Sequence, residues 1–183
     1  MTNLSGTVLF TVGTDHHKFD RLIGWAETWA EANRGSIDVV VQHGSSRAPC
    51  GVTTYEYIGQ SELTHLVTNA RVVVTHGGPG TITECWRVGV APIVVPRLRR
   101  LGEHVDDHQE RFAKWIAKMG YAEVPTSYDE LNDLLAQRIS ADSTWTPAVD
   151  LNRPAVTTEA IASLVEELVA NRAHKRRRVF GSR

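Results

Sequence analysis

No apolar run in this 183-residue chain approaches the roughly 20 residues that cross a bilayer, so the chain is read as having no transmembrane segment of its own. Cysteine is scarce too. Cys50, read in a loop, and Cys85, read on an apolar helix face, match no metal or redox spacing, which excludes a disulfide framework and a zinc ribbon. The first residues show no basic stretch followed by an apolar one, so no secretory signal is read and a cytoplasmic protein is expected. Internal repeats and low-complexity tracts are missing apart from a basic tail. So are two nucleotide motifs. A glycine turn at 77–80 has Thr83 where the dinucleotide fingerprint needs a further Gly, and no Gly-Lys-Ser/Thr follows it as in a Walker loop. Nicotinamide, flavin and ATP readings lose ground accordingly.

What is present is the composition of one globular domain, 42% hydrophobic and 22% charged. A chain of this length buries roughly two thirds of its unfolded surface without staples. The net charge of −1 hides an asymmetry, because Arg172, Lys175, Arg176, Arg177, Arg178 and Arg183 lie in a tail without acids. Taking those six from the 20 Lys and Arg leaves 14 basic against 21 acidic residues, a body of charge −7. Such a body argues against nucleic acid as a partner. The tail suits an anionic membrane face or an acidic partner, or is simply solvated.

Near-continuous apolar runs at Thr7–Val12, Ile37–Val41, Val52–Ile58, Val72–Thr75 and Ile93–Val95 read as strands, with a sixth at Tyr121–Val124. Between them lie helical periodicities. Phe19, Leu22, Ile23, Ala26 and Ala30 form one stripe; others run from Gly59 to Ala70, from the glycine turn to Gly89, and through Phe112, Trp115, Ile116 and Met119. Arg97 to Asp107 reads as a long polar loop, and Ser127 with Glu130 as a capping box for a helix through Leu135. The expected fold is therefore α/β, a Rossmann-like parallel sheet with helices on both faces, over residues 1–139. Residues 140–156 read as a linker or surface crossover, 157–174 as an amphipathic C-terminal helix and 175–183 as the basic tail.

Arg71 to Glu84 organises the rest. A β-branched strand breaks into His76-Gly77-Gly78-Pro79-Gly80-Thr81 and opens a helix. Three glycines in four residues permit close backbone approach, and free N–H groups at a helix start favour an anion such as phosphate. His76 then stands as a cation-capable donor and Glu84 as a carboxylate one turn into the helix, which suits a phosphate joined to a sugar diol. In a parallel sheet, ligands gather outside the strands' carboxyl ends, and every glycine- or histidine-rich stretch here follows such an end.

Two further constellations stand out. Asp107, His108 and Gln109 place hydrogen-bonding groups at a helix start, suited to adjacent sugar hydroxyls. The alternatives are an N-cap by Asp106 or Asp107, or a divalent metal between His104 and His108, at i and i+4 but lacking the zinc-hydrolase glutamate. His16 and His17, after the first strand, include a candidate general base.

With these motifs in place the chain resembles the C-terminal, nucleotide-sugar-binding half of the GT-B glycosyltransferases of family 28. It is most similar to the stand-alone subunits that work with a membrane-bound partner in lipid-linked oligosaccharide and exopolysaccharide synthesis. The resemblance covers about Thr7 to Leu135 and rests on Val12-Gly13-Thr14, His76 through Glu84, and Asp107-His108-Gln109. It implies that His76, Gly77, Gly78 and Gly80 meet a diphosphate, with Thr81 nearby and Gly13 and Thr14 flanking it. It further implies that Glu84 holds ribose hydroxyls, that Ile58 offers backbone groups to uracil, and that Asp107, His108 and Gln109 meet the donor sugar. The implied substrate is a UDP-sugar, transferred with inversion, with no cofactor and no required metal. The acceptor-binding domain of a complete enzyme is missing, so a membrane-anchored acceptor-binding subunit is expected as partner, recruiting the chain to the inner membrane face. His16 and His17 are the candidates for a base supplied from this side. A non-catalytic UDP-sugar-binding regulatory subunit and a nucleotide-sugar epimerase are the alternative readings, and homo-oligomerisation stays open.

Overall fold

The computed structural model describes residues 6–140, and within them the apolar runs become five parallel strands in the order β3-β2-β1-β4-β5. β1 is Thr7–Thr11, β2 Asp38–Gln42, β3 Thr53–Tyr55, β4 Val72–His76 and β5 Ile93–Val95. Helices α1 (Asp20–Ala32), α2 (Gln60–Asn69), α3 (Pro79–Arg87), α4 (His108–Lys118) and α5 (Tyr128–Ser140) lie between and after them. This is the expected Rossmann-like architecture.

The period-2 geometry of a strand explains why the runs are apolar throughout. Val8, Phe10, Val39, Val41, Val72, Val74, Ile93 and Val95 face α1 and α5 in one core, with Leu22, Ile23, Ala26, Leu131 and Leu135. Leu9, Val40 and Val73 face the other way, toward Leu66, Val67 and Cys85 of α2 and α3. Val94 meets Ile82, Trp86, Phe112 and Ile116, beneath α3 and α4. Each such side chain contributes roughly 1.5–3 kcal/mol by leaving water, so the central strands carry the fold. Cys85 is buried in this second layer, and burial pushes its thiol well above the ordinary range. It is a packing residue.

Four expectations change. The third strand shrinks from Val52–Ile58 to Thr53–Tyr55, an edge strand with exposed threonines, and the chain then peels away so that Ile58 turns toward the end of the sheet. The sixth strand is a single bridge between Ile93 and Glu123. Tyr121 and Ala122 pack against the α4 layer instead, and Pro125 has no N–H with which to extend a ladder. The polar loop after β5 contains a 3-10 turn, Arg99–Leu101, and begins with a fully buried arginine, Arg97. The capping box at α5 is shifted. Ser127 Oγ accepts the Glu130 N–H at 3.2 Å, but the Glu130 carboxylate returns to the Thr126 N–H at 2.6 Å. The expected linker begins at Ser140, which closes α5; the rest of it, the C-terminal helix and the basic tail lie outside the described residues. Among the described residues no helix is long and apolar enough to cross a membrane.

Candidate functional site

β1 and β4 are neighbours whose connections leave in opposite directions across the sheet, and a crevice opens at such a switch point. A cavity of about 400 Å³ lies there, lined by Gly13 and Thr14 after β1, Ile58 before α2, and His76, Gly80, Thr81 and Glu84 around the start of α3. Thr11, Gln42, Gln60 and Leu63 complete it. Its size is that of a small-molecule site. A larger cavity, about 720 Å³, lies at the opposite, amino end of the sheet, but Glu27, Glu31, Asp38 and Glu62 set four carboxylates into its wall against Arg34. An anionic ligand is repelled there, so the strand-end cavity is the candidate.

The glycines of the central turn have separate causes. A Cβ on Gly78 would overlap His76 Nε2, and one on Gly13 would stand 2.5 Å from His76 Cε1. The imidazole therefore occupies a slot between two glycines. Gly13 also has φ +76°, a left-handed conformation that glycine alone adopts freely. A Cβ on Gly77 would lie 3.0 Å from Gln109 Cβ, whereas one on Gly80 meets nothing within 4 Å. Of the three turn glycines, Gly80 alone is open to a ligand; Gly77 and Gly78 are buried by packing. Pro79, at the first helical position, has no N–H, so Gly80 and Thr81 present the free amides at the positive end of α3.

His76 corrects one expectation. Burial pushes its imidazole down to about 3; the nearby Arg97 charge acts in the same direction, while a hydrogen bond to the Thr11 backbone and the Asp15 carboxylate oppose it. The ring is neutral at physiological pH and is a polar donor or acceptor, not a cation. Since an unfolded histidine titrates near 6.5, unfolding takes up a proton at His76 between pH 6.5 and about 3. Its contribution to stability is full above the unfolded value and is lost as pH falls through that window. One proton sets a slope of at most about 1.4 kcal/mol per pH unit. In urea unfolding between pH 6.5 and 5, above most carboxylate titration, His76→Gln is expected to flatten the dependence of stability on pH. A slope equal to that of the unmodified chain would contradict the assignment.

Glu84 is buried in the cavity wall, with Arg87 Nε and Nη2 donating to it at 3.1 and 2.7 Å and Thr64 Oγ1 at 2.5 Å. The Arg87 hydrogen bond holds its carboxyl below the ordinary range against the effect of burial. Arg87 and Thr64 thus occupy most of its acceptor positions, with Gln60 also hydrogen-bonding the carboxyl, and a ligand diol would displace Thr64 or the exposed Arg87. Gln42 was not legible as a site residue. Its Nε2 donates to the carbonyls of Gly13 and Glu56 at 2.9 Å each, and its Oε1 accepts from the Gly13 N–H at 3.0 Å and Thr11 Oγ1 at 2.7 Å. One buried amide therefore ties the loops after β1 and β3.

The remaining expected residues lie on the β5 side of the turn. Gln109 is buried against Gly77, and its Oε1 accepts the Arg97 N–H at 3.2 Å. Asp107 precedes α4 without capping it and is exposed, 3.5 Å from Arg111. Asp106 caps instead, accepting the His108 N–H at 3.1 Å and pairing with His108 Nδ1. His17 lies half-buried against Asp15, while the side chain of His16 is 84% exposed. His104, Asp106 and His108 gather within 4.8 Å of one another, as do Asp15, His16 and His17. Each carboxylate already pairs with an imidazole. Arg97, which the sequence placed in a polar loop, donates to the carbonyls of Val12, His17 and Glu103 at 2.8, 2.6 and 3.2 Å and lies 4.8 Å over the Phe19 ring.

Comparison with known proteins bears on the family and the fold. The family model of the glycosyltransferase family 28 C-terminal domain matches residues 7–148. Among solved structures, Acinetobacter baumannii MurG superposes with a TM-score of 0.59 at 19% identity over 91% of this chain. The spinosyn forosaminyltransferase SpnP gives 0.58 at 20% identity over 90%, and the glycosyltransferase VinC in complex with dTDP gives 0.55 at 22% over 87%. This chain spans 51, 43 and 41% of those three chains respectively. The likeness is one of fold, to the C-terminal half of the GT-B architecture.

Proposed function

The chain belongs to the family of glycosyltransferase family 28 C-terminal domains, and from that premise we propose that it is the donor-binding subunit of a two-part glycosyltransferase. It takes a UDP-sugar. A membrane-anchored, acceptor-binding partner covers the strand-end face, and the sugar passes with inversion to a lipid-linked or polysaccharide acceptor. The observation that carries this reading is the convergence of Gly13, Thr14, Ile58, His76, Gly80, Thr81 and Glu84, drawn from separate parts of the sequence, on one strand-end cavity.

In this assignment the diphosphate meets the free amides of Gly80 and Thr81 and the neutral His76, with Gly13 and Thr14 flanking it. Gly77 and Gly78 shape the turn from behind. Glu84 takes the ribose hydroxyls and the backbone of Ile58 the uracil. The sugar extends past the turn toward Asp107, His108 and Gln109, the last of which is buried against Gly77 and supports that side of the site from below. As the bond to the diphosphate breaks, charge develops on its oxygens, and the fixed amides and dipole of α3 stabilise it without reorganising. Neither a cofactor nor a metal is assigned to this step. A second pyrimidine deserves comparison because VinC is described in complex with dTDP.

Glu84→Ala tests the assignment. Loss of a charged acceptor of hydroxyl hydrogen bonds is expected to weaken UDP binding roughly 10- to 100-fold in calorimetric titration. Equal affinity in the variant and the unmodified chain, both folded by circular dichroism, would remove Glu84 from the site.

A further inference from the structure

The loops after β1 and β5 share a side-chain cluster that the donor cavity does not use, and Asp15 is its centre. Oδ1 of Asp15 accepts the main-chain N–H of His17 at 2.7 Å and meets His17 Nδ1 at 2.6 Å, while Oδ2 faces His104 Nε2 at 3.4 Å. Arg97 fixes the same residue from a third direction, donating to the His17 carbonyl at 2.6 Å from a side chain anchored on Val12 at the end of β1. The N–H, the ring and the carbonyl of His17 are therefore all held. A loop residue clamped at three points has lost most of its orientational freedom before any substrate arrives. His16 is built differently: its ring lies 4.0 Å from that of His17, but its side chain faces solvent and its Nδ1 stands 3.8 Å from Asp15.

Resting on the donor-site reading above, we propose that His17 is a catalytic acid–base residue supplied by this chain and that Asp15 is its positioning residue. Burial works against the Asp15 charge, but the hydrogen bonds from the His17 N–H and ring, with the Arg97 and His104 charges, outweigh it and hold the carboxyl below the ordinary range. An ionised carboxylate only accepts. The proton on the His17 ring is therefore on Nδ1, and Nε2 carries the free lone pair. The cluster lies on the β5 side of the glycine turn, beside His108 and the Gln109 that packs on Gly77, where the transferred sugar is assigned. An acceptor oxygen attacks the anomeric carbon as its O–H proton passes to His17 Nε2. The bond from that carbon to the β-phosphate oxygen breaks, and UDP leaves with the electron pair. The imidazolium so formed faces Asp15 and returns its proton to water.

The test uses the full chain in two settings. Native membranes from cells carrying each variant as the sole copy are given radiolabelled UDP-N-acetylglucosamine, UDP-glucose or UDP-galactose, and label in the organic phase is followed; the purified chains are titrated with UDP alongside. His17→Ala is expected to lower the rate at saturating donor by about 100-fold or more, with UDP affinity within about 2-fold of the unmodified chain. Asp15→Asn, which keeps the shape, is expected to lower kcat by at least about 10-fold with KM nearly unchanged. The exposed His65→Ala should leave the rate as it was. Long-range proton–nitrogen spectra of the purified chain should show His17 as the Nδ1–H tautomer, and that result stands whatever the donor. Unchanged transfer by His17→Ala with intact UDP binding, or an Nε2–H tautomer, overturns the proposal alone. Absence of UDP binding by the unmodified chain overturns the donor reading and this proposal together.

Discussion

Gly78→Ala is expected to cost the folded chain about 1–3 kcal/mol, the range of an overpacked interior, and most of that cost should vanish when His76 is shortened to alanine as well. The backbone at Gly78 has φ −79° and ψ 128°, which any residue adopts, so an alanine there meets no conformational strain. The whole penalty is steric. Its new methyl overlaps His76 Nε2, and the ring cannot retreat because Gly13 closes the other side of the slot. In a double-mutant cycle by urea unfolding, the substitution should therefore cost much less in a His76→Ala background, a coupling on the order of 1 kcal/mol or more. Additive effects would mean that the turn yields and the ring is not confined. Because Gly78 is the residue at which α3 starts and His76 lines the strand-end cavity, the single variant should also lose UDP affinity.

Arg97→Met is expected to destabilise the chain by about 3–5 kcal/mol, the cost of breaking a buried charged network at one member. Methionine fills similar space but donates nothing. The carbonyls of Val12, His17 and Glu103 are then left without that donor, and Asp15 and Glu103 lose a neighbouring positive charge. Glu103 keeps its pair with Arg21 at 2.9 Å, so the loop after β5 is only partly released. Lysine is no repair, because one ammonium cannot reproduce a planar fork that reaches three separate acceptors. Urea unfolding near pH 7.5 measures the loss. A change under about 1 kcal/mol would show that solvent or a rearranged loop replaces the guanidinium, well below the range for a broken buried pair.

The sheet was legible because its residues repeat. Val72, Val73 and Val74 can all be apolar only in a strand covered on both faces, and the structure gives each a helix layer to meet. The strand ends and the glycine turn followed from the same pattern, which is why Gly13, Thr14, His76, Gly80, Thr81 and Glu84 could be expected together, and the structure brings them to one strand-end cavity. What escaped has a common character. Gln42 ends a strand as an unremarkable amide, and its role exists only because the loops after β1 and β3 approach it. Arg97 follows Pro96 in a stretch of ordinary polarity, and nothing local announces that its guanidinium turns under the sheet end toward Val12. Asp15 sat beside two histidines that drew attention to themselves, while its second contact, His104, lies far along the chain. The glycines were recognised as glycines for an incomplete reason. Close approach in the central turn was expected from a ligand, and for Gly77 and Gly78 it comes from Gln109 and His76; Gly13 is crowded by the same His76 ring. Long-range partners of single polar residues leave no periodic trace in a sequence.

The most direct test of the whole account is a calorimetric titration of the purified chain with UDP, set beside dTDP and a purine diphosphate. Saturable, one-to-one binding of UDP that the purine nucleotide does not match is expected. Failure to bind UDP at millimolar concentration, or equal binding of the purine, would contradict a uridine-nucleotide site at the end of β1 and β4.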